Sequence, residues 1–148
     1  MAIDPMLAPI VVLVAWTQVM MIWMAFQRGP AMKQAGVEMT PGMRGADVEH
    51  LVPAKASWAL HNYMHLMEQP TIFYAICFAL ILMGASGWPI NIWLAWGYVV
   101  LRIIHSIIQA THNIVKFRTL AFGLSSLCLL ALTVHAAMWV VHTARVGV

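Results

Sequence analysis

Four long apolar stretches occupy most of this chain and restrict its fold more than any other feature. They cover about residues 6–27, 57–84, 89–111 and 119–142. About 20 apolar residues are needed for an α-helix to cross the hydrocarbon core of a bilayer, and a helix satisfies its own backbone hydrogen bonds there. Only 9% of the residues are charged, against about 25% in globular domains. We predict an all-α integral membrane protein, with one four-helix domain over residues 1–148.

The polar connections predict how the chain lies in the membrane. Residues 28–56 form the longest polar segment, and its opening Gln27-Arg28-Gly29-Pro30 predicts the end of the first helix. Lysine and arginine at positions 28, 33, 44, 55, 116 and 118 flank the first and third connections, whereas Arg145 alone lies on the opposite side. Because basic loops stay in the cytoplasm, we expect both of these connections there and both termini on the other side. No basic stripe predicts a nucleic-acid partner.

The second apolar stretch contains ionisable residues at helical spacing. His61, His65 and Glu68 follow steps of four and three, so they share one face of a helix. An ionisable side chain at the centre of a bilayer costs about 2.5 to 3.5 kcal/mol on insertion scales, so it persists where it is compensated or used. Glu68 is therefore the first candidate for a functional group.

A second polar stripe lies in the third stretch, where Arg102, His105, Gln109 and His112 are spaced three, four and three apart. Lipid cannot solvate two such stripes, so we expect them to face each other, or a neighbouring subunit, around a hydrated cleft. Glu68 and Arg102 are the expected first contact. That pair could hold the helix register as a buried ion pair or form part of a functional site.

Two motifs in this order resemble the MAPEG family, the membrane-associated proteins of eicosanoid and glutathione metabolism, in a bacterial-type form. The first consists of Asn62, Glu68 and Pro70, followed by Thr71-Ile72-Phe73-Tyr74. The second consists of Leu101-Arg102-Ile103-Ile104-His105-Ser106, followed by Asn113, Lys116 and Arg118. Neither motif is specific alone, but their order and spacing in a chain with four spans identify the family.

The resemblance implies a homotrimer that binds glutathione between subunits near the cytoplasmic face, in a bacterial inner membrane. A lipophilic electrophile or hydroperoxide would arrive from the membrane lipids, and the activity would be that of a thiol-dependent transferase or peroxidase. Arg118 would be catalytic, because a guanidinium beside the glutathione sulfur favours the thiolate. The resemblance and the two stripes together give the candidate binding residues, which are Glu68, Asn62, His65, Arg102, His105, Gln109 and Asn113.

This chain departs from the family pattern at four positions. His61, His65 and Gln109 stand where relatives have arginine, asparagine and tyrosine, and Phe122 stands where some have tyrosine. We expect its ligand preference to differ most at His61 and His65. A non-catalytic lipid-binding or scaffold member of the family is the first alternative.

The seven histidines suggest a membrane haem protein as a further alternative, ranked lower because it leaves Glu68 and Arg102 without a role. We predict no metal site. Two of the histidines lie in the fourth span: His135 is expected to make an interior polar contact, and His142 to lie at the membrane interface.

Overall fold

The chain folds into four long helices. The computed structural model describes residues 3–147, apart from the side chain of Val146, so the domain predicted over 1–148 extends past the described residues at both ends. The helices are α1 (Leu7–Gln34), α2 (Ala54–Leu82), α3 (Pro89–Thr111) and α4 (Val115–Val146). All four are long and apolar enough to cross a membrane. The predicted all-α membrane fold is therefore confirmed.

Helix α3 lies at the centre of the packing. It contacts α4 most extensively, and α1 packs mainly on α2. Helices α2 and α3 run antiparallel: Asn62 bonds to Ser106 near one end of their contact, and Phe73 stacks on Tyr98 further along it. With 23 residues, α3 is also the shortest helix, against 28 in α1 and 29 in α2. This register sets the heights of the functional side chains.

The expected end of the first helix was wrong. Helix α1 continues through Pro30 and ends at Gln34. A proline inside a helix leaves the carbonyl four residues earlier without its hydrogen bond, and here that carbonyl belongs to Phe26, on an exposed part of the helix where other groups can reach it. Polar residues near an apolar stretch mark the edge of the hydrocarbon, and they do not by themselves end a helix.

The same reason explains two further differences in helix bounds. Helix α4 begins at Val115, so Arg118, expected in a turn at the membrane surface, lies in its first turn, where its backbone N–H donates to the Ile114 carbonyl at 3.1 Å. Helix α2 begins at Ala54, before the expected position. The polar connection is therefore residues 35–53 and not 28–56.

This connection is attached to both helices that flank it. The Arg28 guanidinium donates to the Gly45 carbonyl at 2.7 Å, and Glu49, in a short 3₁₀ turn, pairs with His61 of α2. Within the connection, the backbone N–H of Arg44 and then its side chain lower the pKa of the Asp47 carboxyl. Val48 is fully buried beneath these contacts. The segment is thus an ordered cover on one end of the bundle.

At the opposite end, the start of the chain is tied to the turn between α2 and α3. The Ser86 hydroxyl donates to one Asp4 oxygen at 2.5 Å, while the other Asp4 oxygen accepts from the Met6 backbone N–H at 2.9 Å. Gly84 allows this turn because its φ of 70° is in the left-handed region, where only glycine is free of strain.

Candidate functional site

A buried, unpaired arginine lies at the centre of the candidate site. Arg102 is 0% exposed, and its guanidinium carbon lies 4.5 Å from the centre of the Phe122 ring and 5.3 Å from that of Tyr98. Among the residues that the structure describes, none of its three side-chain nitrogens has a hydrogen-bond partner, and neither does the buried Tyr98 hydroxyl. Ring faces attract the cation, but they do not replace a counter-ion. This interior therefore carries an uncompensated positive charge.

The expected pair between Glu68 and Arg102 does not form within the described chain. The Glu68 carboxylate bonds to Nδ1 of His65 at 3.1 Å, and its side chain is 64% exposed. The two contacts that set the helix register place Glu68 at about the height of Arg102, but on the outer side of α2. The face of α2 that is turned inward carries Asn62, Leu66 and Phe73, which helical geometry separates from the Glu68 face.

His105 is held at both ring nitrogens. Nδ1 lies 2.8 Å from the backbone carbonyl of Arg118, and Nε2 lies 2.8 Å from the side-chain oxygen of Gln109. A carbonyl only accepts hydrogen bonds, so Nδ1 carries a proton. In a neutral His105 ring, Nε2 accepts a hydrogen bond. The Gln109 amide would then be turned by 180°, so that its NH₂ group and not its oxygen faces Nε2. The bond from Nδ1 connects α3 to the start of α4.

A second interior polar contact joins α2 to α3. The Asn62 amide donates to the Ser106 hydroxyl at 2.6 Å, and both residues are fully buried. The Asn62 side-chain oxygen has no partner. This oxygen is a hydrogen-bond acceptor, and it lies in the same helix interface as the unpaired Arg102 donors. The interior could therefore bind one ligand that has both donor and acceptor groups.

The turn between α3 and α4 orients the second arginine. Asn113 lies just after α3 and has a φ of 52°; it is the one described non-glycine residue with a positive φ. Its backbone N–H donates to the Ile108 carbonyl at 2.7 Å. Asparagine tolerates this conformation better than most residues. In this position its side-chain oxygen accepts a 2.5 Å hydrogen bond from Arg118 Nη1. The turn thus fixes where the Arg118 guanidinium lies.

Two substitutions of Asn113 should separate these contributions. We expect Asn113→Gly to lower the free energy of unfolding by about 1 kcal/mol, because only the bond to Arg118 is lost. Asn113→Ala should lower it by about 2 to 3 kcal/mol, since alanine adds about 1 to 2 kcal/mol of strain at positive φ. Reversible unfolding in mixed detergent micelles measures both. Equal losses in the two variants would contradict the assigned strain.

The structure brings together four of the predicted site residues and separates others. Arg102, His105, Gln109 and Asn62 lie in the interior, and Arg118 reaches them through its carbonyl bond to His105. Glu68 lies on the outer surface, whereas His65 is half-buried, with its ring 6.2 Å from that of His105. His112 is exposed because α3 ends at Thr111.

Three residues around the arginine were missed as site residues. Tyr98 lies one helical turn from Arg102, and Ser106 bonds to Asn62. Phe122 was singled out only for a missing hydroxyl, yet its ring packs on the guanidinium. The spacing of Tyr98 and Ser106, four residues on either side of Arg102, could have indicated both, since such residues share a helix face.

Four membrane-crossing helices around a polar, positively charged interior define a small multi-pass integral membrane protein. The chain belongs to the MAPEG family, whose family model matches residues 6–138, nearly its whole length. Neither the curated proteins nor the solved structures gave a match. The family is generally associated with glutathione, so membership supports a glutathione-related transferase, peroxidase or related function in the membrane.

Proposed function

We propose that this protein is a glutathione-dependent transferase or peroxidase that acts on a lipophilic electrophile or hydroperoxide. The unpaired Arg102 guanidinium is the observation that carries this proposal. Removing a charge from water is costly unless a partner of opposite charge compensates it. Glutathione has two carboxylates, and a guanidinium can hold one of them through two parallel hydrogen bonds.

The remaining candidate residues have roles that follow from their positions. Asn62 has a free side-chain oxygen that can accept a hydrogen bond from an N–H or ammonium group of the tripeptide. His105 and Gln109 hold each other beside the arginine, and His65 lies next to His105. Asn113 positions Arg118. In this proposal Glu68 and His65 contribute from the outer face of α2, where a neighbouring subunit would complete the site.

Arg118 would favour the thiolate, which is the reactive form of glutathione. The thiolate sulfur forms a bond to an electrophilic carbon, and the leaving group departs with its electron pair. With a hydroperoxide, the thiolate sulfur instead takes the terminal oxygen, which leaves the substrate as an alcohol. A second glutathione then attacks the oxidised sulfur and releases the disulfide and water. The apolar outer faces of the helices give lipophilic substrates access from the bilayer.

We propose that the protein assembles as a homotrimer with the outer face of α2 at the subunit contact. Glu68 is the main support, because a carboxylate facing lipid would cost about 2.5 to 3.5 kcal/mol, and a second subunit or trapped water removes that cost. The charged connections indicate a site near the cytoplasmic face, with both termini on the opposite side. A bacterial inner membrane fits this arrangement.

The exposed position of Glu68 gives a test of the assembly. We expect Glu68→Leu to weaken the trimer, because leucine loses polar contacts across the interface that a buried carboxylate must make. Mass photometry or crosslinking in detergent should then show a larger monomer fraction at equal protein concentration. Glu38→Leu, in the exposed connection, is the matched control. A monomeric parent protein would contradict the proposed contact.

Binding of glutathione to the full chain in detergent tests the proposed function directly. Isothermal titration should detect glutathione, and its diethyl ester should bind much more weakly, because the ester lacks the carboxylates that Arg102 needs. Conjugation to a lipophilic chloronitrobenzene should accompany binding. No binding at millimolar glutathione would contradict the proposal, and lipid binding without turnover would favour the non-catalytic alternative.

A further inference from the structure

A cavity lies at the end of the bundle opposite the arginine site, between the start of α3 and the last turns of α4. Its volume is about 390 Å³, within the range of small-molecule pockets. The lining residues are Ala85, Trp88, Asn91, His135, Met138, Trp139 and His142. None of them belongs to the proposed glutathione site.

The polar groups of this cavity determine the protonation of His135. The Asn91 amide NH₂ donates to the Ala85 carbonyl at 3.0 Å, which directs its oxygen toward His135 Nδ1 at 2.9 Å. Since that oxygen only accepts, Nδ1 carries the proton. Nε2 has no hydrogen-bond partner among the described residues, and it is an acceptor whenever the ring is neutral. The lining thus contains one histidine whose tautomer is fixed, His135, beside a second histidine, His142, for which no described side-chain hydrogen bond fixes the tautomer.

The walls favour a flat and apolar molecule. Trp88 and Trp139 meet edge to face, with ring centres 5.9 Å apart. Trp88 is 55% exposed and Met138 is 63% exposed, so the cavity opens outward. Tryptophans near helix ends are typical of the membrane interface, where an amphiphile keeps its polar group near the surface. Arginine and lysine are absent from the lining, whose titratable groups are His135 and His142.

We propose that this cavity binds a lipophilic phenol, whose hydroxyl donates a hydrogen bond to Nε2 of His135 while its ring packs against Trp88 and Trp139. A phenol combines a flat apolar ring with a single donor, which matches the acceptor on His135. The Trp88 and Trp139 ring centres are 5.9 Å apart, a distance at which aromatic rings pair favourably, and a phenol ring can make the same kind of contact with either of them. This site is independent of the proposed glutathione function, because it uses other residues at the other end of the bundle.

Two probes that differ only at the hydroxyl test the hydrogen bond. The full chain in lipid nanodiscs is titrated with 2-naphthol and with 2-methoxynaphthalene, and empty nanodiscs give the background partitioning. We expect 2-naphthol to bind about five-fold more tightly, the effect of about 1 kcal/mol for one neutral hydrogen bond. A hydroquinone with a short isoprenoid tail forms the third arm. Tighter binding of the tailed compound indicates a membrane quinol, and equal binding indicates a small phenol.

Substitutions then assign the contacts. His135→Phe should abolish the difference between 2-naphthol and its methyl ether, and the exposed Trp88→Ala should weaken both probes alike. The helical circular dichroism signal of each variant serves as the control for folding, so the test does not depend on glutathione binding. Equal affinity of the parent protein for the two probes would overturn the proposal even if His135→Phe failed to fold. A preference for 2-naphthol that persisted in His135→Phe would also overturn it.

Discussion

Replacing Arg102 with methionine is expected to make the ligand-free protein more stable and to remove glutathione binding. Replacing buried charges by well-packed apolar side chains stabilises proteins by about 1 to 4 kcal/mol where the charges are poorly compensated. The Arg102 guanidinium has no hydrogen-bond partner among the described residues, and methionine can fill the space between Tyr98 and Phe122. Truncating one side of a buried charge contact costs about 2 to 5 kcal/mol of binding, roughly 30-fold to several thousand-fold in affinity.

Unfolding in mixed micelles and glutathione titration measure these opposite effects. Arg102→Lys is the matched control: it keeps a buried charge, so stability should not rise, but it lacks the planar fork that holds a carboxylate at two points. A large loss of stability in Arg102→Met would show that the guanidinium is already paired in the folded assembly, with Glu68 as the nearest candidate. That result would contradict the assignment of Arg102 to a ligand carboxylate.

Replacing Arg118 with glutamine should slow conjugation at pH 7 by about three-fold while changing glutathione affinity less. A nearby cation lowers the pKa of a thiol by about 1 to 3 units, which raises the thiolate fraction, although a less basic thiolate is also a weaker nucleophile. In the variant, the thiol pKa returns toward its usual value of about 8.5. The rate deficit should therefore be constant well below the lowered pKa, shrink as the pH rises from the lowered pKa to about 8.5, and stay small above that.

The pH profile of kcat/KM distinguishes this role from a structural one. Arg145→Gln removes the same charge at the exposed far end of α4 and should leave the profile unchanged. Asn113→Gly, which frees the Arg118 side chain, should produce a smaller deficit of the same shape. A deficit in Arg118→Gln that stayed the same at every pH would argue against thiolate stabilisation.

The third helix shows how far sequence reasoning reaches. The spacing of Arg102, His105 and Gln109 predicted one face, and all three lie in the interior. The same reasoning applied to α2 grouped His61, His65 and Glu68 correctly, but it could not tell that their face points outward. Periodicity gives the angles between residues on a helix, whereas the direction of a polar stripe depends on which neighbour covers it.

The role of the turn at Asn113 could be anticipated only in part. Its polar residues indicated a membrane-surface site, and the family resemblance implied the importance of Arg118. The positive φ of Asn113 and the bond from His105 to the Arg118 carbonyl depend on the meeting of two helices. Such contacts join residues from different helices, so no local sequence signal predicts them. For the same reason, the sequence could not predict that Arg102 lacks a partner among the described residues.

The unequal lengths of the helices bear on how the proposed site meets its surroundings. At 1.5 Å per residue, α3 spans about 35 Å and α1 and α2 about 42 to 44 Å, and the Asp4 to Ser86 bond aligns them at one end. The excess of α1 and α2 therefore rises beyond the turn at Asn113 at the other end. Polar residues from Gln27 onward mark the edge of the hydrocarbon on α1, so part of this excess stands in the layer of headgroups and water around the turn. In the proposed function, a water-soluble thiol would enter this recess from the aqueous side and meet an oil-soluble electrophile beside Arg118.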